Sequence, residues 1–397
     1  MKRTIMLVLI VLGVLLAACA SPTAAPQPTA APQATAAPAQ PTAAPKASAE
    51  PIKIGIIAAM SGTNAVLGDW MKKGVTLAVE EKNKTGGIQG RQIQIVAYDD
   101  EADPTKSVGL AQKVATDDKV IATWATSNSS SALADIPIFA QYKIPQFTNG
   151  TNVDITNKGS AYIFRATPAG PSFEDTLVDF LVKKGMKKFA IIADTSAYGK
   201  GEGDYQDAAL KRNNLSALTR EAFGIDDKDF TGQLTKILQT QPEVILLASS
   251  EVASGLIAKQ ARQLGFKGQF AGGAAVGTPK YIETAGADLA EGTIFTTPWL
   301  PDDTNEISRK FVTAYKARWN EDPEFHGANT YDGTQLLLLA MEKANPLTSE
   351  NVAAELHKLS GVKGLQGTFN VTTKGETITG TLVGIIKGGK LTVYTGN

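Results

Sequence analysis

The order of apolar and polar residues along the chain predicts an alternation of buried strands and helices. The run IKIGIIAAM (Ile52–Met60) is short, almost continuously apolar and rich in β-branched residues, which is typical of a strand buried on both faces of a parallel sheet. Further strands are predicted at RQIQIVAYDD, KVIATWA, KKFAIIAD and PEVILLASS. No stretch after the first residues is long and apolar enough to cross a bilayer.

Helices are predicted between these strands. One runs from about Gly68 to Lys84 and is ended by the stop signal Thr85-Gly86-Gly87. The next begins at Asp103-Pro104, an N-cap followed by a first-turn proline, and continues through Ala115. Others are expected at Ser129–Tyr142, around Asp204–Arg212, and at Ala253–Leu264.

Strand-helix alternation indicates right-handed βαβ units and doubly wound sheets. The alternation occurs in two series that are separated near Ala166–Pro171, which predicts two similar α/β lobes. Polar segments follow the strands, among them TSNSSS (Thr126–Ser131) and TNGTN in the first series, and DTSAYG and SSE in the second. Because ligands bind beyond the carboxyl ends of such strands, these segments predict a cleft between the lobes.

The first residues are typical of a secretory signal. Lys2 and Arg3 precede an uncharged, mostly apolar run, Ile5–Ala18, which is shorter than the ~20 residues of a membrane-spanning helix. Leu16-Ala17-Ala18-Cys19 resembles the lipobox of bacterial lipoproteins, in which the signal is cut before the cysteine and the thiol carries lipid. An ordinary signal peptide with an incidental cysteine is the alternative. Cys19 is the only cysteine of the chain, so no disulfide is expected.

A Pro/Ala/Thr-rich segment follows, in which Pro-Thr-Ala-Ala-Pro recurs at Pro22, Pro28 and Pro41. It contains no large apolar side chain to bury, and its prolines favour an extended polyproline II conformation with a reach on the order of 90 Å. We therefore expect a signal peptide over residues 1–18 and a lipidated linker over residues 19–50 that holds a folded domain near a membrane.

Composition excludes several function classes for the remaining chain, Pro51–Asn397. The 39 basic and 39 acidic residues of the whole chain balance, and no basic run is interleaved with aromatic residues, which argues against a nucleic-acid partner. Phosphate-binding, dinucleotide and nucleophile-elbow motifs are absent, and only His326 and His357 are available as histidines, so we expect neither an enzyme nor a cofactor. The acidic stretch YDDEADP lacks the fixed positions of a calcium loop, and no metal site is expected there.

Several segments together carry a family resemblance: IGIIAAMSG, GGIQGRQIQIVAYDDEADP, SNSSSALADI, YGKG, QARQLGFKGQF, AEGTIF and YDG. Through them nearly all of Ile52–Asn397 resembles the type I periplasmic binding proteins, specifically the leucine/isoleucine/valine-binding receptors of ABC importers. The resemblance implies two Rossmann-like, doubly wound lobes joined by three crossovers, near Ala166–Pro168, Thr296–Trp299 and Gly367–Val371. The lobes are expected to comprise residues 51–167 with 298–368, and 168–297 with 369–397.

The resemblance also implies site residues. In this family a serine after the third strand holds the ligand carboxylate, and Ser127 matches it, with Asn128 adjacent. Gly150 and Asn152 match the next loop, which completes the carboxylate site and contacts the ammonium, and Tyr198 matches a tyrosine that closes over the ligand. Donors at a helix start favour an anion. For Ser127 to Ser131, simple capping of the following helix is the alternative.

One position departs from the family pattern. Ala274 stands where the family has the glutamate that binds the ligand ammonium. A buried ammonium without a carboxylate would cost several kcal/mol. Either another acid replaces the glutamate, with Glu251 beside Ser250 as the nearest candidate, or the ligand has no ammonium. Glu251 could equally be a solvated residue of a helix start.

Three aromatic residues are further candidates for the cleft. Trp70 and Trp124 could floor an apolar or aromatic ligand, although core packing is the alternative for each. His326 matches an aromatic pocket position of the family and could add a polar contact, or it could cap a helix.

The resulting hypothesis is a monomeric, lipid-anchored, outward-facing receptor that binds a small carboxylate-bearing solute and docks onto an ABC permease. A branched-chain or other apolar amino acid is the expected solute. An organic or aromatic acid without an ammonium is the alternative ligand, and a ligand-sensing module is the alternative role. The chain ends soon after the last strand, at Asn397, which favours transport over sensing.

Overall fold

The structure is a computed structural model that describes residues 50–301, 305–377 and 380–396. The expected signal peptide, Cys19 and the Pro/Ala/Thr-rich segment up to residue 49 lie outside the described residues.

A parallel sheet of five strands organises the first lobe. Its strands are β1 (Ile52–Ala58), β2 (Ile93–Asp99), β3 (Ala122–Ala125), β4 (Gln146–Thr148) and β5 (Ile163–Arg165). They are hydrogen-bonded in the order β2-β1-β3-β4-β5, with Ile54 aligned between Ile95 and Ala122. The two neighbours of β1 make it a central strand, and its continuous apolar sequence follows from burial on both faces.

A sheet of seven strands organises the second lobe. Its parallel strands are β6 (Phe189–Asp194), β7 (Ala217–Phe223), β8 (Val244–Ala248), β9 (Gln269–Gly272) and β10 (Ile294–Thr297). A separate hairpin of β11 (Ser360–Gly364) and β12 (Gly367–Asn370) comes next in the chain. Antiparallel strands β13 (Leu382–Lys387) and β14 (Lys390–Val393) then extend the sheet, giving the order β14-β13-β10-β9-β8-β6-β7.

Helices cover both sheets. The longer ones are α1 (Ala65–Lys84), α2 (Pro104–Thr116), α3 (Ser129–Gln141), α5 (Gly170–Lys183), α6 (Ala197–Arg212), α7 (Thr231–Gln239), α8 (Glu251–Gln263), α11 (Glu306–Trp319), α12 (Phe325–Lys343) and α13 (Ser349–Leu356). The short ones are α4 (Asp154–Asn157), α9 (Pro279–Ala285) and α10 (Ala287–Ala290). Because α12 packs against α1, the chain returns to the first lobe after β10. The predicted α/β fold with two Rossmann-like lobes is confirmed.

The helix after β6 is longer than its sequence predicts. It was expected around Asp204–Arg212 and instead begins at Ala197, where the Ser196 side chain accepts a hydrogen bond from the Gly199 backbone. Glycines weaken the helical pattern here, but packing requires them. A Cβ on Gly199 would lie 2.3 Å from the Asp194 carboxyl, so the tight approach of helix to strand excludes larger residues.

The chain passes between the lobes at residues 166–169, after β10, and after β12. The third passage begins later than Gly367, because Gly367–Asn370 forms β12 of the hairpin and Phe369 is buried in the core of the first lobe. Each lobe therefore has a core of its own, built mainly from one sheet and its helices.

Candidate functional site

A cavity of about 370 Å³ lies where the carboxyl-terminal strand ends of the two sheets face each other. From the first lobe it is lined by Thr63, Asn64, Leu67, Glu101, Ala102, Pro104, Ser127, Asn128, Ser130, Asn149, Thr151, Thr167, Phe325 and His326. From the second lobe it is lined by Asp194, Thr195, Ser196, Tyr198, Ile225, Asp226, Ser250, Glu251, Ala274 and Ala275. The polar loops grouped by the sequence pattern thus meet in one cleft, large enough for a small solute.

In the loop after β3, one residue caps the following helix and a different residue is available to a ligand. The Asn128 side chain caps α3 by accepting hydrogen bonds from the backbone of Ser130 at 2.8 Å and Ser131 at 3.2 Å. The hydroxyl of Ser127 makes no capping bond and lies 3.6 Å from the sulfur of Met71. Ser127 therefore lines the cavity at a helix start without being committed to the helix, and the favourable field of the helix end is available to an anion.

The loop after β4 presents alternate residues to the cavity. Asn149 and Thr151 line it, whereas Gly150 and Asn152, which the resemblance selected, do not appear among the described lining residues. The Asn152 amide instead donates to the Ala197 carbonyl at 2.7 Å, which links the lobes. Successive side chains of an extended segment point in opposite directions. This two-residue alternation could have identified Asn149 and Thr151 as the residues that line the cavity.

A buried arginine fixes that loop. Arg165, at the end of β5, donates from one guanidinium nitrogen to the carbonyls of Gly150, Thr151 and Asn152, the last at 2.9 Å. Its other terminal nitrogen pairs with Glu376 at 2.5 Å. The side chain is fully buried, so it holds the loop by charge-assisted hydrogen bonds in a region of low dielectric. No pattern in the sequence predicted this role.

His326 lies at the start of α12 and is held on two sides. Its Nδ1 is 2.8 Å from the carboxylate of Glu324, which also caps the helix by accepting from the Gly327 backbone at 2.7 Å. Its ring stacks on Trp70 with centroids 5.8 Å apart and planes 12° apart. Burial opposes the charged form, but Glu324 and Glu251 outweigh it and raise the pKa of His326 above its ordinary value.

Trp70 and Trp124 therefore have different positions. Trp70 stacks on the ring of His326 and is not one of the described residues that line the cavity. Trp124 is fully buried, and its indole N–H donates to the Thr334 hydroxyl at 2.9 Å. Trp124 thus packs in the core of the first lobe.

Glu251 faces the cavity from the second lobe. It is the first residue of α8, whose N-cap is Ser250. The residue is only 5% exposed, so it is not a solvated surface acid. Burial raises the pKa of Glu251, while the charge of His326 and its own backbone N–H favour the ionised form. A buried carboxylate at a helix start, with a histidine as its nearest opposite charge, is suited to a cationic or hydrogen-bond-donating ligand group.

Ala274 lies in a short 3-10 turn after β9 and lines the same cavity. Its neighbour Gly273 is packed against another acid, since a Cβ there would lie 2.4 Å from the carboxyl of Glu174. Burial and the neighbouring Glu202 raise the pKa of Glu174 well above its ordinary value. Glu174 does not line the cavity, so the carboxylate that faces the ligand space near this turn is Glu251.

The remaining lining residues have structural tasks as well. Tyr198 is half-buried, and desolvation of its hydroxyl raises the pKa of Tyr198 well above the ordinary value, so it stays a neutral donor. Asp194 accepts from the backbone and hydroxyl of Ser196 at 2.9 and 2.5 Å. Asp103 is not among the described lining residues and caps α2 beside them, by accepting from the Thr105 backbone at 2.7 Å. Within the described ranges, no group of three or more His, Cys, Asp or Glu side chains is placed to hold a metal ion.

The fold and the site define a class of protein, and comparison with known proteins identifies the family. The family model of the periplasmic binding proteins matches residues 51–390, and the chain belongs to this family. A Leu/Ile/Val-binding protein homolog of Brucella melitensis is 28% identical over 330 residues, which are 82% of this chain and 88% of that protein.

Two solved structures extend the comparison. A leucine-binding protein from Thermotoga maritima superposes with a TM-score of 0.81 at 27% identity, covering 87% of this chain and 98% of that one. A branched-chain amino acid transporter substrate-binding protein from Streptococcus pneumoniae, in complex with isoleucine, gives a TM-score of 0.81 at 25% identity, covering 86% and 98%. By family the chain is thus an extracytoplasmic periplasmic binding protein, and the proteins it is similar to are binding proteins rather than enzymes.

In the part of the chain that the structure describes, no helix combines the length and the apolar character that crossing a membrane requires.

Proposed function

We propose that this chain is the lipid-anchored receptor of an ABC importer and that it captures an amino acid between its lobes. The observation that carries the proposal is the pairing of opposite polarities within one cavity. Ser127 and the start of α3 offer hydrogen-bond donors, whereas Glu251 offers a buried carboxylate. A zwitterion presents a carboxylate to the first group and an ammonium to the second.

Glu251 takes over the ammonium site in this proposal. Ala274 has no charge to offer, and Glu251 lines the same cavity with its carboxyl free of side-chain hydrogen bonds from other described residues. An ammonium beside it would restore the partner that a buried charge requires. The names of the relatives favour a branched-chain or other apolar side chain for the ligand.

A second candidate ligand is an organic or aromatic acid that lacks an ammonium. The alanine at position 274 favours it, because the carboxylate of the family pattern is missing there. With such a ligand Glu251 would have to be protonated, and burial, which raises its pKa, acts in that direction.

A thermal-shift series with single amino acids and small organic acids tests the proposal. A ligand at 100 times its Kd stabilises the folded state by about 2.7 kcal/mol, which gives a clear rise in melting temperature. We expect the rise with one or more amino acids. A rise with organic acids alone would favour the second candidate, and no rise with either class would contradict the proposal.

The mechanical part of the proposal is closure around the ligand of two hinged lobes, one of residues 51–167 with 298–370 and one of residues 168–297 with β13 and β14. The closed monomer then docks onto the permease. A sensing role would use the same closure, and transport of radiolabelled ligand by cells that lack this chain distinguishes the two roles. Loss of uptake supports import, and unchanged uptake contradicts it.

The anchor is proposed from the sequence alone. Cys19 follows a signal-like run and precedes a segment suited to an extended linker. A single acyl chain binds membranes only marginally, so an anchor with several chains is required. Cys19→Ser should move the protein from the membrane fraction to the soluble fraction, and an unchanged membrane fraction would contradict the anchor.

A further inference from the structure

The cavity that should hold a ligand side chain has fixed polar groups from both lobes beside its apolar residues. His326 and Glu251 face the ligand space from opposite lobes, and Asn149 lies nearby, since its amide nitrogen is 3.5 Å from the carbonyl oxygen of His326. Apolar lining residues include Leu67 in the first turn of α1, Phe325 at the start of α12, and Ile225, which is 65% exposed. An aliphatic side chain placed beside His326 would therefore contact polar atoms as well as apolar ones.

His326 is oriented so that one ring nitrogen is available to a ligand. Nδ1 is occupied by Glu324 at 2.8 Å, and one face of the ring is covered by Trp70 at a centroid distance of 5.8 Å. A carboxylate only accepts hydrogen bonds, so Nδ1 carries the proton in this contact. Among the described residues, Nε2 has no hydrogen-bond partner. The contacts with Glu324 and Trp70 thus fix the orientation of the His326 ring and leave Nε2 on the cavity side.

We infer that His326 selects a ligand whose side chain carries a polar oxygen, such as a hydroxyl or an amide carbonyl, in preference to an aliphatic side chain. The inference rests on the proposed function, capture of an amino acid, and differs from the side chain that the names of the relatives favour, since it assigns a polar one. Nε2 of His326 accepts from a side-chain hydroxyl when the ring is neutral and donates to a hydroxyl or carbonyl oxygen when the ring is protonated. Glu251 pairs with the ammonium, and the loop at Ser127 binds the carboxylate.

The physical reason is the cost of leaving a fixed polar group without a partner. A site built to hydrogen-bond a ligand group rejects analogues that lack it by large factors, because binding them strips water from groups that then stay unpaired. His326 cannot turn away, since Glu324 and Trp70 hold it. A branched aliphatic side chain would bury Nε2 without any compensating bond.

Calorimetry of the full chain with serine, threonine, asparagine, glutamine, leucine and valine tests this directly. We expect the best polar amino acid to bind at least tenfold more tightly than leucine or valine. His326→Phe should weaken that polar ligand at least tenfold and strengthen leucine. Because the phenylalanine variant could fold poorly, His326→Gln is measured as well, and it should keep the polar preference since the amide still offers a donor.

Glu283→Gln is the matched control, because Glu283 is an exposed acid of the second lobe paired with Lys280 outside the cavity. It should leave every affinity unchanged. Leucine or valine binding as tightly as the best polar amino acid in the unmodified protein would overturn the inference while leaving the proposed function intact. Binding of no amino acid would overturn both, and an unchanged preference in His326→Phe would overturn the role of His326.

Discussion

Two adjacent residues at the start of α3 divide tasks that a single serine often combines. Asn128 satisfies the free N–H groups of the helix, and Ser127 is left with a hydroxyl that faces the cavity. Such a division lets a binding residue be changed without loss of the helix cap. The site can therefore be probed at Ser127 with little effect on folding.

Ser127→Ala should weaken ligand binding roughly ten- to a hundredfold in Kd, because it removes one charge-assisted hydrogen bond worth about 1.5–3 kcal/mol. The melting temperature of the free protein should hardly change, since Asn128 caps the helix. Calorimetry and thermal unfolding measure the two effects. Ser216→Ala, at an exposed position of the second lobe, is the control. Wild-type affinity in Ser127→Ala would remove Ser127 from the site.

At the scale of elements, α2 and α3 are joined through a buried acid. Asp135 of α3 is fully buried and accepts a hydrogen bond from the Ser107 hydroxyl of α2 at 2.7 Å. Burial raises the pKa of Asp135 to about 8, and the nearby Asp100 adds to the effect. The folded protein therefore keeps a proton on this group at pH values where the unfolded chain has released it.

This difference makes stability depend on pH. The raised pKa contributes stability that is present at low pH and is lost as the pH rises from about 4 towards 8, because the unfolded chain then binds fewer protons. Asp135→Asn replaces the protonated acid by a neutral group of similar shape. We expect the variant to gain stability relative to the unmodified protein between pH 5 and pH 9 in urea unfolding. An equal difference at both pH values would show that Asp135 does not hold the proton.

At the scale of the whole molecule, the lobes are tied together on one side of the cavity. The Thr151 hydroxyl donates to Glu202 at 2.5 Å, and the Val153 backbone donates to the Tyr205 hydroxyl at 3.0 Å. Both contacts link the loop after β4 to α6. Because these bonds lie near the passages of the chain between the lobes, motion that opens the opposite side would leave the two cores unchanged.

Ligand should therefore make the molecule more compact. Its differential affinity for the closed form shifts the balance between open and closed states. Small-angle scattering with and without a stabilising ligand should show a smaller radius of gyration in the complex. Ser127→Ala at the same ligand concentration should show a smaller change. An unchanged radius at saturating ligand would contradict the hinge.

The sequence by itself determined the strands, most of the helices and the grouping of polar loops at the strand ends. Local periodicity is enough for this, because burial on both faces of a parallel strand leaves an apolar run such as Ile52–Ala58 whatever surrounds it. The same local pattern predicted too short a helix at α6, because the glycines that packing requires there are also typical of a loop. Helix starts with strong caps, such as Asp103 with Pro104, could be predicted from the sequence because a cap acts within a few residues.

Only the tertiary structure decided which polar groups face the ligand. His326 and Glu251 belong to different lobes, and no local pattern reports that they line one cavity. Asn149 and Thr151, rather than Gly150 and Asn152, line the cavity because Arg165 holds the loop after β4 in one orientation. Contacts between residues far apart in the chain depend on how whole elements are placed, and their charges acquire meaning only in the low dielectric that this placement creates.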